Sequence, residues 1–293
     1  MQNNQRVYSK DFVEKFKKAL VKTYHYKEYM DFLIVPSLTF SKILSYIPAL
    51  SYTDRTSDDI DDLIELSHGN NYQIKTLNFK YNDFKDNDPV TMRLSLNKEM
   101  DLLNCYKSRT RNYVRKSLKN SFELRENIEN LDDFYIILRK TYKKHGAPLI
   151  SKKLFLNLFF YFREDLHLFT LYKDNQIAAA MFILKDKELS WYGWGGVDEK
   201  YAKERAGYCI YHLAIENMLL NHNIKIFDFG RSPYNGGTYR FKSHFGAKPV
   251  KIDIFEPIEK DIYSTYSRAT TLYKKLPFWI SDRIGPVIRK HFP

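Results

Sequence analysis

The 293-residue sequence predicts a mixed α/β protein, on three observations. Its second half runs three β-prone segments joined by short polar turns and then alternates helix, strand, helix and strand. Its first third combines one amphipathic helix with isolated β-prone runs. Hydrophobic residues make up 44% of the chain and aromatics 16%, enough to fill a large core, in one large or two modest domains.

Taken in order, Phe12, Val13, Phe16, Ala19 and Leu20 recur at the spacing of one buried helical face and predict a helix over 11–24. Segments 32–35, 42–46 and 73–79 read as short strands, and the acidic segment 54–65 as a loop leading into a helix. Residues 101–119 read as one two-faced helix. At about 100° per residue, Tyr106, Thr110, Tyr113, Val114, Ser117 and Leu118 fall on one side, and Arg109, Arg111, Arg115, Lys116 and Lys119 on the other. These cations have no acid among them and repel one another, a cost that a bound phosphate or pyrophosphate relieves. A plain solvated basic face is the alternative. Helices follow over 131–143 and 151–162, the second capped by Ser151. Strands over 167–173, 177–185 and 188–194 form an antiparallel meander with turns at Asp174-Asn175 and Asp186-Lys187. After Gly195-Gly196 come a helix over 203–221, a strand over 224–229, a short helix over 239–243 and a strand over 250–255.

Lys and Arg total 47 against 35 Asp and Glu, a formal charge of +12 that favours an anionic partner such as nucleic acid, a phosphorylated cofactor or an acidic membrane surface. Cys105 and Cys209 lie outside any metal-ligand spacing, so both are expected to be core thiols in a reducing compartment, with no disulfide framework and no metal. A membrane span needs roughly 20 apolar residues, and the best candidate, Leu154 to Phe162, is short and interrupted by Asn157. No apolar core follows Met1-Gln-Asn-Asn-Gln-Arg. The expected location is the cytoplasm, with peripheral contact to the inner membrane left open.

Chemistry concentrates between Lys225 and Ala247. A short apolar run carries Asp228 and ends at Gly230, followed by Arg231 and the loop Pro233-Tyr-Asn-Gly-Gly. Beyond it, Tyr239, Phe241 and Phe245 alternate with Arg240, Lys242 and His244, so charge and aromatic surface converge where backbone can approach a ligand closely. A surface turn beside an ordinary basic helix is the other reading.

The strand Asp228-Phe-Gly-Arg-Ser, followed by Gly237-Thr-Tyr-Arg-Phe-Lys and Phe245-Gly-Ala, resembles the signature of FemAB-like transferases. These form the branch of the GNAT acyltransferase superfamily that includes peptidoglycan bridge-forming enzymes. Arg109-Thr-Arg-Asn-Tyr-Val-Arg-Lys resembles the basic helix that ends the family's first lobe, and Asp132-Asp-Phe-Tyr with His145-Gly-Ala-Pro the opening of its second. Tyr192-Gly-Trp-Gly-Gly-Val, Lys275-Leu-Pro-Phe-Trp and Gly285-Pro286 fit the same pattern. The resemblance spans most of the chain and is weakest at the N-terminus.

It implies a GNAT fold with two lobes: a trimmed one over 1–125, an acyltransferase lobe over 126–258, and a tail over 259–293 docking on the first. In such folds the donor carbonyl lies where two strands splay, here 188–194 and 224–229, and backbone donors stabilise the oxyanion. The helix start beyond Gly195-Gly196 faces donor phosphate. The donor implied is acyl-CoA or aminoacyl-tRNA, and the acceptor an amine of a phosphate-bearing cell-envelope or glycan precursor. Members that use CoA carry a glycine-rich turn at that helix start, whereas Lys203-Glu-Arg-Ala-Gly-Tyr keeps only Gly207, with Arg205 where the first glycine would be. This shifts the expectation toward an aminoacyl or unconventional donor, with tRNA as a partner.

By the same resemblance Lys242 is the cation that binds acceptor phosphate or offsets transition-state charge, an exposed one whose loss leaves stability nearly unchanged. Tyr239 is placed as a hydrogen-bond or proton donor and Asp228 as the acceptor of the amine proton, although a strand Asp is equally a structural anchor. Arg231, Arg240, Arg109, Arg111, Arg115, Arg205 and Gly207 are the expected phosphate-binding residues. His145 and His244 are lone histidines, and Trp191 and Trp194 core or pocket wall. The rival class is a non-enzymatic nucleic-acid or membrane-binding module built on 109–119. In the tail, Trp279, Ile280, Ile284, Val287 and Ile288 accompany Arg283, Arg289 and Lys290, a mixture suited to anionic lipid. Removal of residues after Leu276 is expected to weaken vesicle binding without loss of solubility.

Overall fold

The computed structural model describes residues 5–36, 42–257 and 273–291. Two compact units interleave along the chain. The first takes the N-terminal residues to Arg6 with 79–138 and 164–251, and the second 7–78, 139–163 and the residues from Ile252 onward. The boundary expected between 125 and 126 falls inside a strand of the first unit, Glu123–Glu126, which pairs along its length with Leu166–Lys173.

The second unit contains α1 (Lys10–Tyr24), β1 (Lys27–Tyr29), β2 (Phe32–Val35), β3 (Ile43–Ser45), α2 (Asp61–Leu66) and β4 (Tyr72–Asn78). The Ser9 hydroxyl caps α1 by accepting from the Phe12 N–H, and the five apolar positions read from its periodicity are all buried. β1, β2 and β3 pair antiparallel in sequence, and β3 pairs parallel with β4.

In the first unit lie β5 (Pro89–Ser95), α3 (Leu102–Cys105), α4 (Ser108–Ser117) and β6 (Glu123–Glu126). The chain then gives α5 (Leu131–His145), which begins in the first unit and ends in the second, and α6 (Lys152–Phe162) in the second. As expected, the Ser151 hydroxyl caps α6. Phe162 of α6 meets Phe12 of α1 edge to face, with ring centres 5.0 Å apart.

The first unit continues through β7 (Leu166–Lys173), β8 (Gln176–Asp186), β9 (Leu189–Val197), α7 (Ala206–Leu220), β10 (Ile226–Pro233) and α8 (Gly237–Ser243). β11 (Lys248–Phe255) and α9 (Phe278–Arg289) complete the described elements. Its sheet runs β11-β5-β10-β9-β8-β7-β6, antiparallel at each pairing except the parallel β10–β9. α7 is apolar nearly all round, the mark of a buried helix. It packs Cys209, Ile210, Ala214, Ile215 and Met218 into a core shared with Met92, Phe169, Met181, Phe227 and Phe229.

Two sequence expectations change. The single helix over 101–119 is broken: Tyr106 is extended (φ −83°, ψ 144°) and separates α3 from α4. The break turns the Tyr106 ring into the core, 4.9 Å from Phe245, with its hydroxyl 3.2 Å from His212 Nδ1. Leu118, expected on the buried side, is 45% exposed. Strand β5 was not anticipated, yet it lies between β10 and β11. Its Val90, Met92 and Leu94 join the core, while Thr91 and Arg93 alternate with them on the other face. The sequence also reads as helix-like over 261–275, a stretch that falls mostly outside the described residues.

Candidate active site

The parallel ladder between β9 and β10 is short. Ile226 pairs with Leu189, Phe227 with Ser190 and Asp228 with Trp191, and there it stops. β9 continues on β8, pairing Gly195 with Met181 and Val197 with Ala179. β10 turns away and continues on β5, with a register shift between Asp228 and Arg231. The two strands therefore splay beyond Asp228, the geometry the sequence resemblance implied.

The pivot is Gly230. Its φ of +75° is a conformation side chains disfavour, and a Cβ there would stand 3.0 Å from the Tyr192 carbonyl oxygen. Its N–H donates to Asp228 Oδ1 at 2.7 Å. Its carbonyl accepts from Lys242 Nζ at 3.0 Å, and the same ammonium donates to the Arg231 carbonyl at 2.9 Å. The Asp228 carboxylate of β10 and the Lys242 ammonium of α8 thus hold both polar groups of the turning residue.

These are two of the three expected catalytic residues, and the structure corrects both. Asp228 is fully buried; it accepts from Thr91 Oγ1 at 2.5 Å and from Arg93 Nε at 3.0 Å besides the Gly230 N–H. A carboxylate so saturated and sealed from solvent is an anchor, not a base within reach of an incoming amine. Lys242, expected to be exposed, is only 7% accessible, and burial draws its pKa down to about 8 against the opposing charge of Asp228. Tyr239, the third, has its ring centre 4.7 Å from that of Tyr234 and tilted against it, and burial with the neighbouring Tyr234 hydroxyl raises its pKa. Arg231 and Arg240 are exposed on β10 and α8. Trp191 and Trp194 are buried 5.2 Å apart. His145 is exposed, and His244 is half-buried.

Beside the splay lies a cavity of about 290 Å³. Tyr192 and Gly196 of β9, Tyr208 and Tyr211 of α7 and Phe241 of α8 line it, and Arg205 and Gly207 border it at the α7 start. The tyrosines form an aromatic box: Tyr211 lies 5.5 Å from Tyr192 and 5.2 Å from Phe241, and Tyr208 5.4 Å from Phe241. Burial, with Tyr192 alongside, pushes the Tyr211 hydroxyl well above its ordinary pKa, so it stays protonated.

The cationic rim gathers around Tyr113 of α4. The Arg205 guanidinium sits over the Tyr113 ring at 4.3 Å, Arg109 Nε donates to the Tyr113 hydroxyl at 2.8 Å, and Tyr113 meets Tyr208 edge to face at 5.0 Å. Arg205 itself takes a left-handed backbone (φ 68°) at the α7 N-terminus. The structure thus brings together Arg205, Gly207 and Arg109 of the expected phosphate-binding set. Arg111 reaches the Asn104 side chain at 3.4 Å, and Arg115 is exposed on α4.

Sequence reasoning missed Arg93, Thr91 and the aromatic box. Arg93 is fully buried and also donates to the Arg6 carbonyl at 2.6 Å. The signal for it was a lone arginine alternating with Val90, Met92 and Leu94. For the box it was Tyr208 and Tyr211 three apart on one helical face, opposite the small residues of Tyr192-Gly-Trp-Gly-Gly.

Residues 107–243, from the start of α4 to the end of α8 with the cavity and its rim, match the acetyltransferase (GNAT) domain family. Solved structures share the fold. FemX aligns at 16% identity and TM-score 0.53 over 74% of this chain and 73% of its own. The C-terminal domain of a putative lysylphosphatidylglycerol synthetase from Agrobacterium fabrum aligns at 10% and 0.54 over 92% and 96%, and L-PGS from Bacillus licheniformis at 10% and 0.52 over 92% and 99%. No curated protein matches the chain. The chain has the GNAT fold that the sequence resemblance implied. No described helix is long and apolar enough to cross a membrane.

Proposed function

We propose that the cavity receives the acyl end of an activated donor and that the chain transfers it to an amine of a phosphate-bearing cell-envelope precursor. The observation that carries this reading is the splay of β9 from β10 beside an aromatic cavity of about 290 Å³, room for an aminoacyl or short acyl group. Beyond Trp191 β9 pairs with β8 and no longer with β10, and a donor carbonyl lying in the gap so opened would meet a backbone N–H donor. One such donor to an oxyanion is worth about 3–4 kcal/mol where it has been measured. Asp228 and Lys242 act at one remove, as positioning residues that hold the pivot open.

The donor this site favours is an aminoacyl-tRNA over acyl-CoA. Arg205 stands where CoA users carry glycine, and its side chain bordering the cavity, stacked on Tyr113, crowds the approach of a pyrophosphate to the backbone. The similar folds of FemX and of a putative lysylphosphatidylglycerol synthetase support the same reading. The proposed setting is cytoplasmic and peripheral to the membrane, where α9 presents Trp279 at 65% exposure and Phe278 at 44%.

The test offers purified protein tRNA charged with labelled amino acids, or labelled acyl-CoA, together with nucleotide-linked and lipid-linked envelope precursors. The expected result is acceptor-dependent loss of label from tRNA, abolished by Ala202→Trp, which sets an indole at a further residue lining the cavity. Label retained on both donors, with salt-sensitive binding to polyanions intact, would instead identify a basic binding module that acts through α4.

A further inference from the structure

Three side chains outside the cavity gather at the far end of α7. Glu126 closes β6, His167 lies near the start of β7, and His222 follows the α7 C-terminus. Glu126 Oε1 is 2.7 Å from His167 Nδ1 and 3.3 Å from His222 Nε2, and the imidazole centres are 3.9 Å apart. One donor atom from each residue lies within 4.8 Å of the other two. His167 is the buried member, its side chain 5% exposed, and its Nε2 has no hydrogen-bond partner among the described residues. His222 and Glu126 are 23% and 30% exposed, which leaves an entry path from solvent.

We propose that Glu126, His167 and His222 bind one divalent transition-metal ion, with zinc the best fit. The carboxylate faces a ring nitrogen of each histidine, and two imidazoles with one carboxylate are the nitrogen–oxygen set that zinc takes, water completing the shell. Zinc–ligand bonds of about 2.0–2.2 Å put tetrahedral ligand atoms roughly 3.3 Å apart, so the observed spacing closes on an ion with small side-chain shifts. Two imidazoles select against magnesium and calcium, which prefer oxygen.

The ion would join three chain segments that meet only through folding. At about 1.5 Å per residue the 15 residues of α7 place it some 22 Å from Arg205 and Gly207, so its role is to clip the helix in place and not to touch the acyl group. The site stands independently of the acyltransferase reading.

Tag-free full-length protein, stripped with chelator, is titrated with zinc chloride by calorimetry and followed by thermal unfolding. One equivalent is expected to bind and to raise the midpoint by about 5 °C at a hundredfold excess over Kd, while magnesium chloride does neither. Glu126→Gln and His222→Gln are each expected to weaken zinc binding by at least about tenfold. Equal affinity in the wild type and in the folded double variant would overturn the site. If the variants fail to fold, cobalt(II) added to wild-type protein decides. Intense visible bands of a low-coordinate nitrogen–oxygen site support the proposal, and the weak spectrum of octahedral aqueous cobalt refutes it.

Discussion

The pivot of β10 and the rim of the cavity are both built from charge and aromatic or polar partners, yet they are opposite in kind. At the pivot, Asp228, Arg93, Thr91 and Lys242 are buried and bonded to one another or to backbone. At the rim, Arg109 is exposed, Arg205 is half-buried, and both lean on a single tyrosine whose own hydroxyl is drawn below its ordinary pKa by the Arg109 hydrogen bond. The motif with the strongest family resemblance turns out to shape the gap, and the rim's charge comes from Arg109 of α4 with Arg205 at the start of α7.

If that contrast holds, damage at the pivot appears first as lost stability. The largest effect expected is from Asp228→Ala, which strands the Arg93 guanidinium in the core and costs about 3–5 kcal/mol by urea unfolding. Unchanged stability with lost turnover would restore Asp228 as a base. Lys242→Met is expected to cost about 1–3 kcal/mol by exposing two buried carbonyls to an apolar neighbour, against the sequence expectation of a neutral change.

Its pH dependence sharpens the point. The folded pKa of Lys242, about 8, lies below the ordinary 10.5, so between these values the unfolded chain binds more protons and stability rises with pH. Below about 8 both states are charged and the desolvation penalty is present in full. The wild type should therefore gain stability relative to Lys242→Met as pH rises from about 8 toward 10, in paired unfolding curves. A constant difference across that range would place the ammonium in solvent.

At the rim the effects should fall on binding and leave the melt alone. Arg205→Ala is expected to weaken an anionic donor and to lower the salt slope of its binding by about 1, measured by fluorescence anisotropy over a salt series. Arg111 and Arg115, farther along α4, should contribute less when neutralised together. The smallest effect is at α9, where Trp279→Ala should reduce sedimentation with anionic vesicles at low salt. Cutting after Leu276 is a poorer test, because α9 is held within its unit. Ser281 and Gly285 are buried there, the Tyr273 hydroxyl donates to the Ser281 carbonyl, and Asp282 pairs with Arg139. That truncation should destabilise the protein.

The meander, the long helix and the strand after it were legible because their apolar periodicities are strong and their turns carry Asp-Asn and Asp-Lys. β5 was not, since Pro89-Val-Thr-Met-Arg-Leu-Ser places an arginine in the middle of a strand, and only its partner across β10 makes that charge acceptable. The kink at Tyr106 was hidden because its periodicity matches the helix that it interrupts. In the site, residue types were legible and their roles were not: a lysine in an aromatic, basic run reads as solvated, and only the fold reveals carbonyls waiting for it.

Gly230 gives up both backbone hydrogen bonds to side chains on either hand, so the gap it opens needs no ligand to create it. A slot already shaped before anything arrives carries no ordering cost on binding and no closing step in the reaction path. The kinetic expectation is association in a single exponential phase, with a rate linear in donor concentration and sensitive to ionic strength through the rim alone.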